Sequence, residues 1–113
     1  MLKLTRQPLD PNTVSREIEV IRTIISENIA PLELYLFGSA AEGKMTDQSD
    51  YDLLIVMKDH DSCKLGMKQY IQIRSRLPRR PIDVLWMSQA EFDEKKVEGG
   101  VAFIAFQDGQ KLI

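Results

Sequence analysis

One cysteine, Cys63, stands in a chain of 113 residues. With no second thiol to pair, an internal disulfide and a cysteine-built zinc site are excluded. No apolar run approaches the length that spans a bilayer. Residues 1–12 lack the apolar core of a secretory leader, which predicts a cytoplasmic protein without a membrane partner. Positive charge is not in excess: 15 Lys and Arg stand against 17 Asp and Glu, a net charge of −2. No global field draws such a chain onto nucleic acid. Internal repeats, low-complexity tracts and linkers are also missing.

What is present fits a single globular domain over residues 1–113, with 43% hydrophobic and 28% charged residues. Charge is unevenly spread. Lys64, Lys68, Arg74, Arg76, Arg79 and Arg80 form a stretch that contains no acid. Such a run is either a solvated helix face or a surface for an anionic partner or a triphosphate.

Helical and strand patterns alternate along the chain. Val14, Ile18, Ile21, Ile25 and Ile29 recur at helical spacing, so the pattern predicts an amphipathic helix over 12–30, capped by Asn12 or Thr13 and ended by Pro31. Leu32–Phe37 reads as a strand running into Gly38. Ser39 opens a brief helical turn, and 43–48 is a polar loop. Ser49–Met57 is a second strand, with Asp50 and Asp52 on one face and Tyr51 on the other. A second helix over 62–77 buries Leu65, Tyr70, Ile73 and Leu77, and Pro78 ends it. Pro81–Met87 is a third strand, with Asp83 near its start. Ser88 and Glu91 form a capping box for the next helix. Val101–Gln107 is a short buried helix, and a turn at Asp108 and Gly109 leads to a last segment, 111–113. His60 reads as a loop residue, Cys63 as a small helix residue and Trp86 as core. Three strands interleaved with helices predict an α/β (α+β) fold: a small mixed sheet covered by helices.

The chemistry sits on three of these elements. Gly38 lets backbone approach a ligand closely, and the N–H groups that open a helix at Ser39 attract phosphate. Ser39 and Glu42 read equally well as a plain capping box. Asp50 and Asp52, two residues apart on a strand, can converge on one Mg²⁺, a hard ion that takes carboxylate oxygens. Taken alone, such a pair is more often a solvated strand edge. Asp83 can face that pair across the sheet if the two strands are neighbours. Three carboxylates can then hold metal, or two hold it while the third takes a proton from an attacking hydroxyl.

In this order, Gly38-Ser39, ten residues, Asp50-Tyr51-Asp52 and a later strand aspartate, Asp83, resemble the minimal nucleotidyltransferase family of the DNA polymerase β-like superfamily. The resemblance covers nearly the whole chain and implies a polymerase β-like catalytic core without its own substrate-binding domain. It implies that Gly38 and Ser39 bind the ATP phosphates. Asp50, Asp52 and Asp83 would be the catalytic and Mg²⁺-binding residues, with Asp83 as base. It further implies an antitoxin that transfers AMP to a tyrosine of a helical HEPN-type toxin and forms a hetero-oligomer with it. A binding antitoxin with weak or no catalysis is the alternative. A third option is transfer of a nucleotide to a small molecule, for which the chain is short. One position departs from the family pattern: Glu42 stands where an arginine is usual. Lys44, Arg79 and Arg80 are the cations that can compensate for it.

Overall fold

The structure, a computed structural model, describes residues 6–113. The leader-free reading of residues 1–5 lies outside them. Helix α1 spans Pro11–Asn28, strand β1 Glu33–Phe37 and strand β2 Tyr51–Met57. Helix α2 (His60–Ile73) runs into a 3₁₀ turn at Arg74–Arg76, and β3 follows at Ile82–Ser88. Then come α3 (Gln89–Lys95), α4 (Val101–Asp108) and a two-residue strand β4 (Gln110–Lys111).

The four strands lie in the order β3-β2-β1-β4. β1 pairs antiparallel with β2 and with β4, whereas β2 and β3 are parallel. Parallel neighbours need a crossover, and α2 supplies it. The sheet is therefore mixed, as the alternation of elements predicts, but it has four strands rather than three, because the end of the chain pairs with β1 as β4. Strand alternation sorts the core into two clusters. Leu34, Leu36, Tyr51, Leu53, Ile55 and Met57 pack with Ile21 and Ile25 of α1 and with Cys63 and Ile73 of α2. Tyr35, Leu54 and Val56 pack on the opposite face with Phe92 of α3 and with Ala102 and Ala105 of α4. Among the described residues, no helix is long and apolar enough to cross a membrane.

Several elements depart from the sequence expectation for identifiable reasons. α1 starts earlier because the Asp10 carboxylate accepts the Asn12 N–H and Pro11 supplies a preset φ at the first helical position. α2 also starts earlier, at His60, because Asp59 caps it by accepting the Ser62 N–H at 2.8 Å. His60 is thus a first-turn residue, not a loop residue. Leu65 is 58% exposed rather than buried; the inward stripe is Cys63, Gly66 and Ile73. A Cβ at Gly66 would meet the Trp86 ring at 2.7 Å, so this helix lies close against β3. α4 is not buried all round: Ala102 and Ala105 face the sheet, while Val101, Phe103, Ile104 and Phe106 are exposed. Asp50 precedes β2 instead of lying within it. No helix follows Ser39; residues 38–43 form a run of turns. The Ser88 cap is present, with its hydroxyl accepting the Glu91 N–H at 3.2 Å.

Candidate metal centre

Parallel pairing of β2 with β3 decides where the acids go. Asp52 and Asp83 are register partners, side by side on adjacent strands. Asp50, just ahead of β2, joins them. The Tyr51 N–H donates to the Pro81 carbonyl at 3.0 Å, which ties the entries of both strands together. Carboxylate oxygens of Asp50, Asp52 and Asp83 all lie within 4.8 Å of one another. Asp52 projects on the same sheet face as Leu54 and Val56, toward α3 and α4. Asp50 and Asp52 are half-buried and Asp83 is exposed.

Electrostatics at this end of the sheet are uncompensated. Burial, and then the charges of Asp50 and Asp83, push the Asp52 carboxyl above its ordinary value. Asp83 is also pushed up, chiefly by hydrogen bonding to Asp50 and by that neighbour's charge. No Lys or Arg among the described residues pulls either back down. No backbone N–H or hydroxyl among them donates to the three carboxylates. Crowded carboxylates without a protein cation are the donor set that a hard divalent cation such as Mg²⁺ requires. The three aspartates fit that ion.

Gly38 completes the site from β1. It follows Phe37, the register partner of Asp52, and takes a left-handed φ of 75°. A Cβ at this position would overlap Asp52 Oδ2. Glycine is favoured here on two counts, conformation and proximity. Ser39 is half-buried, and its carbonyl accepts the Lys44 N–H at 2.8 Å. The Gly38 carbonyl accepts the Glu42 N–H at 3.2 Å. The turn stops there, so no helix dipole points at the acids, and the expected Ser39–Glu42 capping box does not form. Glu42 is exposed and lies outside the acid cluster.

Arg80 is not a free cation. Its Nε donates to Glu17 Oε1 at 2.6 Å, and the Tyr51 hydroxyl donates to the same oxygen at 2.7 Å. Arg74 spends its guanidinium on the carbonyls of Pro78 and Arg80 at 3.2 and 2.6 Å. Part of the basic stretch thus braces the loop before β3 rather than facing a ligand. Sequence reasoning missed Glu17 altogether. It sits on the polar side of an amphipathic helix, where nothing local marks it.

The sequence model described as "Polymerase beta, Nucleotidyltransferase" matches residues 19–104. The chain belongs to this family. The match includes Gly38, Ser39 and all three aspartates. In fold, this nucleotidyltransferase domain is similar to a protein from Sulfolobus solfataricus whose crystal structure is described as that of a nucleotidyltransferase. The TM-score is 0.53 at 24% identity, over 88% of this chain and 82% of that one. No curated protein matches the chain.

Proposed function

We propose that this nucleotidyltransferase domain is a Mg²⁺-dependent enzyme that transfers AMP from ATP to a hydroxyl of a protein partner. The observation that carries this reading is the convergence of Asp50, Asp52 and Asp83 beside Gly38. Asp50, Asp52 and Asp83 would hold the ion. Bound there, Mg²⁺ supplies charge neutralisation for the phosphates and for the oxygens that attack and leave. Gly38 and Ser39 offer backbone and a hydroxyl at the place where a triphosphate would approach. Asp83 is the most exposed of the three acids, which leaves its carboxylate open to an incoming hydroxyl. It would accept the proton of the incoming hydroxyl. That oxygen bonds to the α-phosphorus, the bond from the α-phosphorus to the bridging oxygen breaks, and pyrophosphate leaves.

The openness of the site favours a macromolecular acceptor. Three cavities among the described residues are lined by side chains other than Asp50, Asp52 and Asp83. One of them, about 410 Å³, lies between α1 and the 40–45 loop. With Asp83 exposed and Asp50 and Asp52 half-buried, the acids are within reach of a side chain on a protein partner, which brings its own second wall. By family resemblance that partner is a helical HEPN-type toxin, the acceptor its tyrosine hydroxyl, and this chain the antitoxin. Labelled ATP, Mg²⁺ and the product of the adjacent gene should yield labelled partner with the native chain. Asp50→Asn and Asp52→Asn should abolish the label. Equal labelling by those variants, or none by the native chain, rejects the reading.

A second reading is neutralisation by binding, with little catalysis. Glu42 and the turn that replaces a helix after Ser39 favour it, because no helix dipole reinforces the phosphate side of the site and Arg80 is engaged with Glu17. It expects a doubly substituted Asp50→Asn, Asp52→Asn chain to protect cells as well as the native one.

A further inference from the structure

We propose that Glu17, Tyr51 and Arg80 form a positioning clamp for the three aspartates, a role that rests on the metal-site reading above. Glu17 belongs to α1, Tyr51 opens β2 between two of the acids, and Arg80 precedes β3, which carries the third. One carboxylate oxygen, Glu17 Oε1, accepts from both partners, at 2.7 Å from Tyr51 and 2.6 Å from Arg80. The entries of the two acid-bearing strands are thereby tied to one point on α1.

Two physical considerations set this group apart from ordinary packing. First, Tyr51 is completely buried. A phenylalanine would fill the same space without a hydroxyl to satisfy. A partly buried Glu–Arg pair is weak evidence of stability, because desolvation offsets its attraction. Its use is better sought in register. Second, the clamp opposes a specific force. Three like charges within 4.8 Å push the strand entries apart when no cation is bound. β3 is an edge strand, held by β2 on one side only. Asp83 sits next to its start, where fraying would separate it from Asp52. Glu17 draws Arg80 inward, the backbone bond from Tyr51 to Pro81 closes the same end, and Arg74 braces the loop between.

The test is Mn²⁺ affinity by titration calorimetry, measured beside metal-free thermal unfolding. Tyr51→Phe and Glu17→Ala should each raise the Mn²⁺ Kd by about 10-fold, the range known for groups that orient metal ligands. Melting should fall only slightly for Tyr51→Phe. Arg80→Lys should keep more affinity than Arg80→Ala, since an ammonium can still meet Glu17. If Glu17→Ala does not fold, Tyr51→Phe, which loses a single hydroxyl, decides alone. A Tyr51→Phe Kd within about twofold of the native value overturns the clamp, as does affinity lost without rescue by Arg80→Lys. A native chain that binds no Mn²⁺ removes the metal-site reading itself, and the clamp with it. Native binding with unaffected variants removes the clamp alone.

Discussion

Asp52→Asn should make the metal-free protein more stable while removing its ability to bind a divalent cation. Asp52 lies with its carboxylate within 4.8 Å of those of Asp50 and Asp83. Two unit charges at that separation repel by roughly 0.9 kcal/mol at the permittivity of water. Asp52 is partly exposed, so the water-like limit applies and counter-ions trim it further. Removing one charge from among these neighbours is therefore worth about 1 kcal/mol. No hydrogen bond to Asp52 among the described residues is lost in exchange. For a domain of this size, about 1 kcal/mol raises Tm by roughly 4 °C. The pH dependence follows from the raised Asp52 and Asp83 values. The folded state holds these protons more tightly than the unfolded chain. Their contribution to stability is full below the ordinary 3.8 and is lost as pH rises through the raised values. The advantage of asparagine should thus be present at neutral pH and close as pH falls toward 3.8. Glu19, Asp59 and Asp93 are shifted the other way, but they are common to both proteins and cancel in the difference. Thermal unfolding in chelator at a series of pH values measures this, followed by the same series in Mg²⁺. Saturating Mg²⁺ at about 10 times Kd should add about 1.4 kcal/mol to the native chain and nothing to the variant, reversing their order. A variant that melts at or below the native temperature in chelator at neutral pH refutes the repulsion account. So does a gap that persists at low pH.

Two further outcomes test the surroundings of the acids. Gly38→Ala and Gly43→Ala both place a side chain at a left-handed φ, 75° and 70°, and each should lose about 1–2 kcal/mol for that reason. Only Gly38→Ala also displaces the Asp52 carboxylate, because nothing lies within 4 Å of a Cβ at Gly43; Mn²⁺ titration should show affinity lost in the first variant and kept in the second. Tyr70 packs edge-on against Trp86 with its hydroxyl buried and without a hydrogen-bond partner among the described residues. Tyr70→Phe should be neutral or gain up to about 1 kcal/mol in denaturant unfolding; a clear loss would mean that the hydroxyl is satisfied.

Legibility in the sequence followed the range of the forces involved. The types of α1 to α4 and of β1 to β3 were legible, because hydrophobic periodicity is a local signal: the isoleucines of α1 and the apolar run of β2 state their own geometry, whereas the two-residue β4 is too short to show a pattern. Helix starts were legible only where the strongest cap was weighed. Asp59 caps α2 so that it begins two residues ahead of the expected start, and Asp10 with Pro11 outcompetes Asn12 and Thr13 at α1. The turn after Gly38 was misjudged, because Ser and Glu at capping-box spacing stabilise a helix only if the chain continues into one. Leu65 and the outer face of α4 were misjudged for another reason. An apolar residue reports a preference for burial, not whether a neighbouring element arrives to cover it.

By itself the sequence determined the donors: three aspartates on or beside strands, and a glycine where backbone can approach a ligand. That was possible because carboxylate chemistry and backbone freedom belong to single residues. Only the tertiary structure decided that Asp83 stands beside Asp52. The pairing depends on β3 lying parallel to β2 across a helical crossover, and no local pattern encodes which strands become neighbours. Tertiary structure likewise took Arg80 from a ligand role and gave it to Glu17, 63 positions away. Such partners are chosen by the folded core as a whole, which brings distant charges within reach of one another and leaves no trace in local spacing.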